Sequence, residues 1–263
     1  MAARQRQLAK KIVIWARSTS TRQHCLQQTW CDQAPDTPAE AVRQAQLVVV
    51  CAPVNIIPDL VTTTAAHLSA HTLVTDVGST KKHICQHCQA TLPPGTHFVG
   101  SHPMAGSKKN GQEHATATLF TKRPCLITPL PQTDPAALQT IRRFWEQLDM
   151  RVHTLDPASH DTIIAHISHL PHLLAFSLCH HLADQAPQWN DYVGQGLRDT
   201  TRIAASNPKL WQSILHANHP AILKTIDAFD QTWQHLRTLL NDPTSPALHE
   251  FLQRAQAYRN NLE

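Results

Sequence analysis

Short apolar runs alternate with helix-patterned polar stretches through the first half of the 263-residue chain. The runs "KIVIWA", "QLVVVCAP", "TLVTDVG", "HFVGSHP", "RPCLITP" and "RVHTLD" have the near-continuous, β-branched character of strands covered on both faces. Between them, "TPAEAVRQA", "IPDLVTTTAAHL" and "DPAALQTIRRFWEQL" place apolar residues at helical spacing. Strands alternating with helices predict a mainly parallel sheet with helices on both sides. After Asp156 the strand-like runs stop. Asp156 followed by Pro157, and Asn207 followed by Pro208, have the form of a helix N-cap with proline in the first turn. Ile222, Ile226, Phe229, Trp233, Leu236 and Leu240 then recur at alternating spacings of four and three. Such a seam suits packing against another helix or a partner subunit. The pattern predicts an α/β domain over residues 1–156 and an all-helical domain over 157–263.

The beginning of the chain qualifies this picture. Residues 12–16 followed by "RSTS" have the form of the second strand of a dinucleotide-binding fold, yet no glycine precedes Gly78. The acidic position at the end of that strand lies about 20 residues after the glycine fingerprint. Counting back from Ala16 therefore places the glycines before Met1. The expectation is a Rossmann-like domain incomplete at its N-terminus: Met1 is an internal methionine of a longer natural chain, or the product is impaired.

Composition narrows the function classes. The chain is 41% hydrophobic and 16% charged, with a formal net charge of +4. That balance fits a globular protein and gives no reason to expect nucleic acid. The longest apolar run, "LVVVCAPV", is too short to cross a bilayer, so no membrane partner is expected. Arg4, Arg6, Lys10, Lys11, Arg17 and Arg22 precede the first acid, Asp32. An organellar targeting segment has that composition, but "KIVIWA" interrupts it with a core strand. No signal peptide is visible, so the seven cysteines are read as cytoplasmic thiols. "HICQHC", with Cys85 and Cys88, lacks a second Cys/His pair at zinc-finger spacing and is read as a polar helix face, not a metal site.

Ligands of doubly wound sheets bind beyond the carboxyl ends of the strands. There the chain carries "CAPVN", "DVGSTK" over residues 76–81, and "GSHPMAGSKKNG" over residues 100–111. His102 precedes Pro103, which favours extended backbone and a rigid imidazole suited to proton transfer. Ser79 is expected at the same rim. Ala52, Pro53 and Val54 in "CAPVN" are candidate cofactor contacts. The position normally held by the acid that binds a ribose 2′-hydroxyl is Ala16, followed by Arg17, Ser18 and Thr19. An arginine with hydroxyls and no carboxylate suits a 2′-phosphate, so NADP is favoured over NAD. In the helical half, "SHLPH" and "GLRDTTRIAASNPKLW" contribute His172, Arg198, Asp199, Arg202 and Trp211. Arginine between two helices suits bidentate capture of a carboxylate; a surface ion pair with Asp199 is the alternative.

"DVGSTK", "FVGSHPMAGSKKNG", "HD…SHLPH" and "GLRDTTRIAASNPKLWQSILHAN" together resemble, in order and spacing, the motifs of the prephenate/arogenate dehydrogenase family. The resemblance runs from Leu8 to the C-terminus. It implies NAD(P)-dependent oxidative decarboxylation of prephenate or arogenate in tyrosine biosynthesis, and a homodimer joined through the helical domain. It further implies His102 as proton acceptor from the ring hydroxyl, with Ser79 holding that hydroxyl or His102. Arg202 would grip a substrate carboxylate, with Asp199 orienting it. His172 would lie near the substrate side chain, and Trp211 near the pocket or in the helix core. Many members carry an acid where this chain has Lys108; a lysine facing the side chain would favour the keto acid prephenate. Two other readings are an impaired fragment or dimeric pseudoenzyme of the same fold, and a related 3-hydroxyacid dehydrogenase.

Overall fold

A computed structural model of the chain describes residues 1–105 and 114–262. Five strands lie in the spatial order β1 (Leu47–Val50), β2 (Leu73–Asp76), β3 (His97–Pro103), β4 (Pro124–Thr128) and β5 (Arg151–Thr154). All neighbours are parallel except β3 and β4, which run antiparallel. The fold is thus Rossmann-like and mainly parallel, followed by helices.

Helices α1 (Ala2–Gln5), α2 (Thr19–Leu26), α3 (Pro38–Val42), α4 (Ile57–Ala65), α5 (Lys82–Thr91) and α6 (Pro135–Gln147) connect and cover the strands. Local chemistry starts several of them: Thr37 and Glu40 form a reciprocal capping box, and Asp134 caps α6 ahead of Pro135. One core, on α4 and α5, gathers Val54, Ile57, Val61, Ile84 and Phe98. The other, under α6, gathers Val99, Ile127, Ile141 and Trp145.

The expected first strand does not form as a strand. In residues 12–16 only Val13 makes a bridge, parallel to Gln33, and the segment is half-buried. A strand exists by its ladder, and among the described residues no strand lies beside this one.

The helical half comprises α7 (Pro157–Ile164), α8 (Leu170–Ala183), α9 (Gln195–Thr201), α10 (Pro208–Ala217), α11 (His219–Leu239) and α12 (Pro246–Asn260). Asp156 caps α7 and Asn207 caps α10, each ahead of its proline. A π-helical turn, Ala165–His169, joins α7 to α8 without a break, and the Leu170 amide reaches back to the Ala165 carbonyl. Pro171 explains the turn: its ring would collide with the carbonyl four residues back, and the wider turn relieves it. Contrary to the run-length argument above, the continuous stretch Pro157–Ala183 is long and apolar enough by length and composition to cross a membrane. Polar His160, Asp161 and His169 nonetheless lie buried within it. Trp211 and Ile214 of α10 join the α4–α5 core, so the two halves share packing.

Candidate active site

The site begins at the carboxyl end of β2. Asp76 and Lys81 are fully buried and ion-paired, bracketing the "DVGSTK" loop. The Asp76 carboxylate also accepts the Gly78 amide at 2.8 Å and the Ser101 amide at 3.1 Å, while Lys81 Nζ donates to the Ser101 carbonyl at 3.0 Å. A buried charge needs a partner and saturated hydrogen bonding, and this pair has both. The loop is thereby fixed to β3, the strand that carries His102. Ser79, half-buried in this loop, makes no hydrogen bond among the described residues. Gly100, two residues before His102, has no room for a side chain: a Cβ would overlap Cys85 Sγ and Thr128 Oγ1. Cys85 and Cys88 therefore do not belong to a polar face; with Ile84 they form the buried side of α5 and fill the space above the sheet.

His102 is buried, and its Nδ1 lies 2.9 Å from His160 Nε2. His160 Nδ1 in turn lies 2.8 Å from Asp161 Oδ1. The Asp161 carboxylate is anchored by the backbone amides of Lys81 (2.7 Å) and Lys82 (2.9 Å) at the N-terminus of α5, a helix with no capping side chain of its own. These contacts assign the protons. A carboxylate only accepts, so His160 Nδ1 carries hydrogen and its Nε2 is the acceptor. His102 then donates through Nδ1, and its Nε2 keeps a free lone pair. Burial first, then the neighbouring His160, Lys81 and His169, hold the His102 pKa well below the ordinary imidazole value. Burial also lowers His160, against the opposing pull of Asp161. The arrangement presents a neutral imidazole base backed by an anion through a second imidazole, related in logic to a catalytic triad.

The helical half adds a second group. His172 stacks on Trp211 with ring centroids 3.8 Å apart, and its Nδ1 faces the Ser168 carbonyl at 2.9 Å. Burial, opposed by that carbonyl and reinforced by the positive charge of Arg202, lowers its pKa. Arg202 is exposed, in the 3₁₀ turn Arg202–Ala205. Asp199 does not orient it: Asp199 accepts from Gln195 one helical turn earlier at 2.8 Å and forms no ion pair with Arg198 or Arg202 among the described residues. Arg202 begins the tighter turn that follows the helix on which Gln195 and Asp199 pair. Trp211 is both core and wall. Lys108 lies outside the described residues.

The residues named for the cofactor lie apart from the imidazoles. Ser18 caps α2, Thr19 Oγ1 accepts from Arg22 Nη2 at 3.0 Å, and Arg17 is exposed. Buried Arg22 organises this corner, donating to the carbonyls of Ala16 and Arg17 and pairing with Asp36. Ala52 and Pro53 follow β1, but Val54 turns into the core, so its side chain is not a ligand contact. These residues fit the ribose and nicotinamide ends of a dinucleotide. The amides of a glycine-rich turn, the usual pyrophosphate cradle, are not among them.

The nucleotide-binding domain model of prephenate dehydrogenase matches residues 1–154, and the dimerization domain model of the same enzyme matches residues 156–254. The chain belongs to the prephenate dehydrogenase family. A cyclohexadienyl dehydrogenase of Zymomonas mobilis is 33% identical over 232 residues, covering 87% of this chain and 79% of the relative. A prephenate dehydrogenase of Bacillus subtilis is 32% identical, covering 88% of this chain and 63% of the relative, so the chain spans under two thirds of that protein. The crystal structure of the Aquifex aeolicus prephenate dehydrogenase, in complex with hydroxyphenyl propionate and NAD+, superposes with a TM-score of 0.93 at 27% identity, covering all of this chain and 92% of that one. In this prephenate dehydrogenase homologue, sequence reasoning singled out His102 and His172 but not the groups that position them. His160, Asp161, Asp76, Lys81 and Asn218 stood inside the quoted motifs without a role assigned to them. The available signal was charged and polar side chains inside otherwise apolar runs, which must find partners when buried.

Proposed function

We propose that this chain oxidatively decarboxylates prephenate or arogenate, passing a hydride to NAD(P), as a step of tyrosine biosynthesis. The observation that carries the reading is the buried Asp161–His160–His102 series, which leaves one unprotonated imidazole nitrogen for a substrate proton. We assign residues 1–156 to cofactor binding, and residues 157–263 to substrate contacts and self-association. A nicotinamide cofactor would be held by Arg17, Ser18 and Thr19 at the start of α2 and by Ala52 and Pro53 after β1, and would supply the hydride acceptor. His102 Nε2 takes the proton of the ring hydroxyl as the carbon–oxygen bond becomes a carbonyl. Ser79, on the loop clamped by Asp76 and Lys81, holds that hydroxyl in line. Arg202 draws the substrate carboxylate toward the His172–Trp211 wall. The ring carboxylate departs as carbon dioxide, the electrons of the broken bond complete the aromatic ring, and the resulting phenolate oxygen takes its proton back from His102 Nε2.

Arg17 with the hydroxyls of Ser18 and Thr19, and no acid at Ala16, supports NADP over NAD. Comparing KM for the two cofactors tests that preference, and a lower value for NAD overturns it. A homodimer is supported by the uncovered apolar side chains of the helical half, among them Ile167, Trp233 and Leu240. We place the enzyme in the cytoplasm; no disulfide forms among the described cysteines. The deciding experiment mixes the protein with prephenate or arogenate and NAD or NADP, following reduced cofactor and carbon dioxide. His102→Ala is expected to lower kcat by roughly 10²-fold or more, the scale of general-base catalysis. Near-normal turnover in that variant removes His102 from the role.

A further inference from the structure

Among the described residues, His169 is the one imidazole with a fully buried ring nitrogen that has no hydrogen-bond partner. It closes the π-helical turn and is 1% exposed. Asn218 Nδ2 donates to the Asp161 carbonyl at 2.8 Å and to His169 Nδ1 at 3.2 Å. The carbonyl can only accept, which fixes the orientation of the Asn218 amide, so His169 Nδ1 must accept. Its hydrogen therefore sits on Nε2, and Nε2 has no hydrogen-bond partner among the described residues. Burial lowers the His169 pKa to about 4, which keeps the ring neutral at physiological pH. An unmade hydrogen bond on a buried donor is destabilising, so the position calls for an acceptor.

The surroundings indicate what the donor serves. Trp211 meets the ring edge to face at 5.9 Å, and the same indole carries His172 on its stack. His160 and His172 both lie within electrostatic reach of the ring, and His102 feels it too. His169 thus sits between the proton-accepting series and the His172–Trp211 wall. Single π-helical turns inside α-helices recur at functional sites, because the extra residue re-aims the side chains around it.

We propose that His169 Nε2–H is a substrate-binding donor: an uncharged hydrogen bond, preset by Asn218, for an acceptor oxygen of a bound aromatic carboxylic acid. The assignment rests on the function proposed above and adds a contact to it. A neutral donor suits this place. It fills an acceptor's lone pair without adding to the positive charge of Arg202, and without competing with His102 for the transferred proton.

The probe is 3-(4-hydroxyphenyl)propionate, chosen because the Aquifex aeolicus enzyme is found in complex with a hydroxyphenyl propionate. Its dissociation constant is measured by calorimetry, with cofactor present, for the wild type and for His169→Phe, which keeps a ring and removes the donor. A loss of affinity of roughly 10- to 100-fold is expected, the scale of a hydrogen bond to a charged acceptor. A change of twofold or less overturns the assignment and leaves His102 untouched. No binding to the wild type overturns the underlying function instead. Should the Phe variant fail to fold, ¹⁵N-histidine spectra of the wild type decide. The His169 Nε2 resonance is expected to move and its proton to become protected when the probe is added; an unchanged resonance overturns the proposal.

Discussion

His102 Nδ1 stands 2.9 Å from His160 Nε2, and this one contact makes the two halves of the chain a single proton-handling unit. His102 comes from a sheet strand and His160 from the first helix of the other half. Asp161 closes the arrangement by capping the helix that follows the Asp76–Lys81 loop. Tautomer, orientation and charge of the His102 imidazole are therefore set jointly by both halves.

Asp161→Asn tests that relation. An amide in place of the carboxylate no longer compels His160 to donate through Nδ1, so part of the population has the wrong tautomer at His102. The expected result is a fall in kcat of roughly 10- to 10²-fold with KM changed much less, and with thermal stability lowered through loss of the α5 cap. Steady-state kinetics beside a melting curve read both effects. Unchanged kcat in a folded variant would show that His102 works without the relay.

Stability should also depend on acid in a defined window. His102, His160 and His169 are buried with pKa values depressed by burial, His169 to about 4. Below the ordinary value of about 6.5 the unfolded chain protonates these rings while the folded chain does not. Their contribution is complete above pH 6.5 and declines as pH falls from there toward 4, by up to about 1.4 kcal/mol per pH unit for each ring. Urea midpoints at pH 7.5, 6 and 5 should fall in that order. A flat series would mean that the rings accept protons in place.

Much of this was legible in the sequence, for identifiable reasons. The short apolar runs announced β1, β2, β4 and β5, and "HFVGSHP" is β3 to the residue. Mostly buried strands such as β2, β3 and β4 leave that composition whatever their neighbours do, while β5 is largely exposed. Residues 12–16 carry the same composition and yet make one bridge, because pairing is a property of two segments and not of one. Cys85 and Cys88 looked like part of a polar helix since their buried side is seen only against Gly100 and Thr128. Asp161 stayed hidden because its amide partners lie about eighty positions earlier in the chain. Asp199 came to Arg202 through the resemblance alone, whereas in the structure it accepts from Gln195.

The Asp76–Lys81 pair yields a prediction about folding. Lys81→Met leaves the Asp76 carboxylate fully buried without its counter-ion, although the Gly78 and Ser101 amides still reach it. Breaking one side of a buried pair typically costs about 3–5 kcal/mol. Chemical denaturation should show a loss of that size, and activity should fall in step, since the loop that holds Ser79 is tied through the same pair. A variant within about 1 kcal/mol of the wild type would mean that Asp76 takes up a proton in place of the lysine.

The helical seam offers the last test. On α11, Ile226 (38% exposed) and Trp233 (59%) project from the chain, with Leu240 (57%) just beyond its end. Ile163, Ile167 and Leu174 do the same from α7, the π turn and the start of α8. Isolated exposed apolar residues need no cause, but a seam repeated over about four turns does. A second copy of the chain would cover it and, with it, the apolar face of Pro157–Ala183. Trp233→Glu should then convert a dimer to monomers, since a carboxylate pressed into an apolar contact without a partner costs several kcal/mol. Sedimentation equilibrium of the two proteins at matched concentration decides: a Glu variant that remains dimeric places the interface elsewhere, and a monomeric wild type removes the dimer. The variant leaves the His102 series untouched, so any accompanying loss of activity would show that the neighbouring copy steadies the His172–Trp211 wall.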